Sequence, residues 1–70
     1  MGYQEAKRTM AAAFAACEAK DYEAADRMCI RAFNEGASIA EIYEALGTAH
    51  VKAIRRFVRA RAKKAVHHAD

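Results

Sequence analysis

Apolar residues recur at three- and four-residue spacing along most of this chain, the period of an amphipathic helix. Tyr3, Ala6, Met10, Ala13, Phe14 and Cys17 share one face and predict a first helix over residues 3–20. The small residues from Ala11 to Ala16 pad that face, so a neighbouring helix can approach closely. A second helix over residues 21–35 follows. Asp21 is placed to cap it, Glu23 adds favourable charge to its first turn, and Gly36 supplies the left-handed residue that ends it. Its apolar stripe is Tyr22, Ala25, Cys29, Ala32 and Phe33, with Met28 at the margin. Ser38-Ile39-Ala40-Glu41 is a capping box and opens a third helix.

Where that third helix ends depends on Gly47. At 100° per residue, Ile39, Ile42, Tyr43, Leu46, His50, Ile54, Phe57 and Val58 fall within a ~160° arc. The stripe keeps its phase through Gly47, and a glycine within a helix costs only about 1 kcal/mol relative to alanine. Periodicity therefore predicts one helix over residues 38–65. The fold class is all-α, with three helices and a long basic third helix, or four helices if Gly47 is a turn.

Composition agrees with helix throughout, since proline is absent and only three glycines occur. Seventy residues make a single helical domain with a small core, which points to self-association as the way to bury more surface. The expected state is a homodimer, formed through the extended basic half or the alanine-rich first helix. Two cysteines, Cys17 and Cys29, are too few for a secreted disulfide framework and sit at apolar helix positions. They read as reduced core thiols, and the protein as cytoplasmic. No stretch is apolar enough to span a membrane, and the N-terminal residues lack a signal peptide's apolar run. Gly2 invites myristoylation, but Lys7 departs from that motif's Ser/Thr preference.

Charge changes the picture. Residues 1–46 carry five bases and eight acids, a net of −3, whereas residues 47–70 carry seven bases and one acid, a net of +6. The overall +3 hides a concentrated cationic segment suited to phosphate, anionic lipid or an acidic protein. On a helical wheel Lys52, Arg55, Arg56, Arg59 and Lys63 fall within a ~100° arc opposite the apolar face. A stripe of five cations without an acid suits a phosphate backbone, which rewards simultaneous charge contacts. The bland alternative is a solvated face. Arg61 and His50 fall inside the apolar arc instead and read as satisfied edge residues.

The stretch Gly36-Ala37-Ser38-Ile39-Ala40-Glu41-Ile42-Tyr43-Glu44-Ala45-Leu46-Gly47-Thr48-Ala49-His50 resembles the helix-turn-helix of small bacterial and phage DNA-binding proteins. Ser38, Ile42, Leu46, Gly47 and Phe57 match its spacing, while Tyr43, Thr48 and Ala53 depart from its usual residues. The resemblance implies a turn at Gly47 and a recognition helix whose His50, Lys52, Arg55, Arg56 and Arg59 face DNA. Asp21-Tyr22-Glu23-Ala24-Ala25, with Cys29, Ala32, Tyr43, Leu46 and Gly47, is in turn similar to a tetratricopeptide-like helical hairpin. Here Ala37 replaces the usual proline, and no array of repeats follows. That resemblance implies a protein-interaction module.

Other chemistry finds little footing. His67 and His68 are adjacent and face different ways, and Cys17 and Cys29 lack the spacing of a tetrahedral zinc site. Ser38 is the only serine and serves as a cap. Glu41 and Glu44 lie one turn apart on what reads as a solvated face. No nucleophile, base and orienting group can be assembled, and there is no glycine-rich phosphate loop. The sequence predicts no enzyme, no metal and no cofactor. Its leading reading is a non-catalytic DNA-binding protein, a small transcription regulator or accessory factor. Lys52, Arg55, Arg56, Arg59 and Lys63 then contact phosphates, and RNA is the other nucleic acid open to it. With no aromatic platform beside the stripe, single-stranded binding is less favoured. The alternative is a helical adaptor or inhibitor that docks its basic helix on an acidic partner. A membrane-surface helix fits less well, because Arg61 lies in the apolar face and tryptophan is absent.

Overall fold

The computed structural model describes the backbone of residues 3–69 and the side chains of residues 3–62. It contains α1 (Tyr3–Glu18), α2 (Tyr22–Asn34) and α3 (Ile39–Ala69), and no strand among the described residues. The fold is all-α with three helices. α3 continues four residues past the end that the apolar pattern suggests, since no proline or glycine follows Gly47 to stop it.

Both short links are built from helix-end chemistry. α1 closes with the Asp21 amide donating to the Ala16 carbonyl (2.9 Å) and the Lys20 amide to the Cys17 carbonyl (2.9 Å). This is a Schellman motif whose left-handed position holds Lys20 (φ 61°) rather than glycine. Asp21 then caps α2, its Oδ1 accepting from the Ala24 amide (3.2 Å). At the end of α2 the same motif recurs with Gly36 (φ 113°): Ala37 donates to Ala32 (3.0 Å) and Gly36 to Phe33 (3.1 Å). Ala37 and Ala32 are both buried, which supplies the apolar contact that accompanies the motif. The capping box at Ser38 is formed in both directions. Glu41 N–H donates to Ser38 Oγ (3.1 Å), and Ser38 N–H donates to Glu41 Oε1 (2.8 Å).

The core is thin. Ala6, Met10, Ala13 and Cys17 from α1 meet Ala25 and Ala32 from α2, with Ala37, Ile42, Leu46 and Ile54 completing it. Half of these ten residues are alanine, so α1 and α2 pack closely. Two polar side chains are buried among them because partners arrive from other elements. Thr9 donates to Glu35 Oε1 (2.6 Å), with the Glu5 carbonyl 3.0 Å away. Asp26 is ion-paired with Arg61. Several large residues of the apolar stripes stand in solvent instead: Tyr3, Phe14, Phe33, Ile39 and Val58, together with Ile30.

Gly47 is where the structure departs from the single straight helix that periodicity favours. Its φ of 82° and ψ of 164° are not helical and lie in a region open essentially to glycine alone. α3 is therefore two helical segments joined at a bend. The stripe keeps phase across Gly47 because both segments turn an apolar face to the same α1–α2 hairpin. Ile42 and Leu46 do so before the bend and Ile54 after it. A phase count cannot separate that arrangement from a straight rod.

Candidate functional site

The segment that leaves Gly47 carries the positive charge, and three contacts fix its direction. Before the bend, Tyr3 donates from its hydroxyl to Glu41 Oε2 (2.8 Å), tying the start of α3 to the start of α1. After the bend, His50 Nε2 lies 2.6 Å from Glu18 Oε2 at the end of α1, and the His50 ring meets Phe14 edge-on with centroids 5.1 Å apart. Further along, Arg61 pairs with Asp26 near the start of α2 and covers the Phe57 ring at 5.7 Å. The second segment thus crosses the hairpin with the apolar arc inward. His50 and Arg61, the two polar residues of that arc, are both partnered.

The opposite arc faces water. Lys52, Arg55, Arg56 and Arg59 are all exposed, and among the described residues none of the four is paired with an acid. The side chain of Lys63, the fifth cation of the stripe, lies outside the described residues. His50, which the helix-turn-helix resemblance places on the DNA-facing side, does not belong there. It is turned toward Phe14 and Glu18, because it shares the arc of Ile54.

One residue joins the basic face from before the bend. The Arg55 guanidinium lies over the Tyr43 ring, 4.8 Å from its centroid. In a straight helix twelve residues span about 18 Å, too far for these side chains to meet. The contact is thus a direct consequence of the Gly47 bend. It also corrects the expectation that no aromatic ring lies beside the stripe. Sequence reading finds Tyr43 only if Gly47 is taken as a turn. In the angle between the two segments lies an open cleft of about 470 Å³. Tyr43, Glu44, Gly47, Thr48, Val51, Lys52 and Arg55 line it. Two cations and one acid, Glu44, therefore face a shared concavity.

The other titratable groups serve the fold. The Glu41 carboxyl is held below its ordinary value by the Ser38 backbone N–H, then by the Tyr3 and Ser38 hydroxyls. Glu35 is likewise lowered, first by the Thr9 hydroxyl and then by Arg31. Both cysteines are free thiols. Burial, with a contribution from Cys17, pushes Cys29 up to about 11, and burial raises Cys17 as well. These thiols are protonated at neutral pH and poor nucleophiles. No helix among the described residues is long and apolar enough to cross a membrane. Comparison with protein-family models, curated proteins and solved structures finds no match to this chain.

Proposed function

We propose that this protein binds duplex DNA without catalysis, as a small regulator or accessory factor, through the outer face of the second α3 segment. One observation carries this reading. Lys52, Arg55, Arg56 and Arg59 are exposed together on one face, without acid partners among the described residues, on a segment that the Gly47 bend sets across the hairpin. Unpaired cations in one row can release several counterions at once from a phosphate backbone, which is what sequence-independent affinity requires. The bend adds a concave approach beside the row, with Arg55 held against Tyr43.

The test is the anisotropy of a labelled random duplex titrated with the protein at several salt concentrations. Binding should weaken steeply with salt. The double variant Arg55→Ala/Arg59→Ala should bind more weakly at every salt concentration, with a log–log slope shallower by about 2. Absence of binding at low salt, with the helical content intact, would sink the proposal. The basic face would then be sought on an acidic protein partner instead.

A further inference from the structure

Among the described residues, six large apolar side chains are exposed: Tyr3 and Phe14 lie on α1, and the other four share the α2–α3 face. Ile30 is 54% exposed, Phe33 54%, Ile39 57% and Val58 42%. They are contiguous. Cys29, Ile30, Phe33, Ile39, Ile42 and Tyr43 line a groove of about 210 Å³. Ile30 also lines the neighbouring depression with Asp26, Val58, Arg61 and Ala62. Ile30 is thus the centre of one apolar strip running from Phe33 and Ile39 to Val58.

We propose that this strip is the contact between two copies of the chain, with Ile30 and Phe33 at its centre. Three observations favour a second copy as the occupant. The first is area. Side chains of this size carry on the order of 150–200 Å² each, so the four leave roughly 300–400 Å² of apolar surface in water. That suits the dry centre of a standard interface, which buries about 800 Å² per partner including its polar rim.

The second is charge. Among the described residues, the charged ones lining the strip are Asp26 and Arg61, and they neutralise one another within the chain. Two copies of net +3 repel least where both surfaces are uncharged or internally neutralised, and the strip is such a place. An acidic partner would be drawn to the adjoining basic stripe instead. The third is the core. Half of its apolar residues are alanine while Ile30, Phe33 and Ile39 remain outside, so the chain holds its larger apolar residues in reserve for another surface. A two-fold contact is self-complementary, and an uninterrupted apolar strip satisfies that condition without further matching. This interface differs from the extended basic half or the alanine-rich first helix, which the sequence alone suggests.

The proposal does not rest on DNA binding, and its test uses none. Sedimentation equilibrium of the full chain over a wide concentration range should give a mass rising to twice 7.7 kDa. The variant Ile30→Glu/Phe33→Glu should remain at the single-chain mass with its helical circular dichroism retained. Ala11→Glu/Ala15→Glu, on the exposed outer face of α1, should still dimerise. On dilution of the wild type, amide resonances of residues 29–33, 39–43 and 58 should shift while those of 11–15 stay still. These shifts decide the matter should the Ile30/Phe33 variant fail to fold. A single-chain mass at every concentration, a dimer indifferent to Ile30→Glu/Phe33→Glu, or shifts confined to α1 would overturn the assignment.

Discussion

Lys20 shows how one backbone angle can matter more than a side chain's contacts. It occupies the left-handed position of the α1 cap (φ 61°), where a β-carbon is strained and glycine is not. Lys20→Gly should therefore raise stability by about 0.5–1 kcal/mol, seen as a Tm several degrees higher in a thermal melt. The substitution is unusual in that removing a side chain helps. Thr9 and Asp26 carry the complementary lesson. A pattern of apolar spacing passes over both: Thr9 is met by Glu35 as well as by the Glu5 carbonyl one turn back, and Asp26 by Arg61, 35 positions away. Sequence spacing records which face a residue is on. It does not record which distant group will satisfy it.

At the scale of elements, helix ends were the most legible part of the chain. The Ser38–Glu41 box, the Asp21 cap and the Gly36 terminus depend on residues within a few positions of each other, and all three are present. The Glu41 carboxylate is doubly engaged, and its lowered pKa gives a signed prediction. A carboxyl whose folded pKa lies below its ordinary value of 4.5 contributes stability that is complete above that value and disappears as pH falls through the folded one. Denaturant midpoints of the wild type should thus decline below about pH 4.5, and Glu41→Gln should flatten part of that decline.

Gly47 was the element boundary that apolar phase alone could not show, for the opposite reason. Its bend changes the direction of α3 without changing the phase of the stripe. The space around Gly47 is open, so Gly47→Ala meets no atom, and its cost is conformational: about 1–3 kcal/mol if the bend is kept. Alanine also favours a continuous helix. The variant should melt at a lower temperature and lose the proximity of Arg55 to Tyr43, which nuclear Overhauser contacts between the two side chains would report.

For the whole molecule, the balance between a small core and a large charged surface is decisive. A chain of this length has roughly 3–10 kcal/mol of stability in all. Leu46 is the largest side chain among those fully buried, and Leu46→Ala should cost about 2–5 kcal/mol. The expected result is a chain with most of its helical circular dichroism lost at 25 °C, or lost on slight warming. The candidate site was legible in part. Four of the five stripe residues stand on the exposed face that the helical wheel assigns them, because exposure of a long cation needs no tertiary partner. Tyr43 was hidden, because only the bend brings it to Arg55.

That same pair gives the molecule an optical probe of its own. The chain has three tyrosines and no tryptophan, so tyrosine dominates its intrinsic emission. The Tyr43 ring sits under a guanidinium at the mouth of the cleft, whereas Tyr22 is packed against the core and Tyr3 is bonded to Glu41. A positive charge over a phenol ring perturbs its electronic transitions. Whatever draws Arg55 off that ring changes the ring's absorption and emission. An anion that draws Arg55 off the ring would alter that spectrum with no label attached, as would a contact made at the α2–α3 groove that Tyr43 also lines.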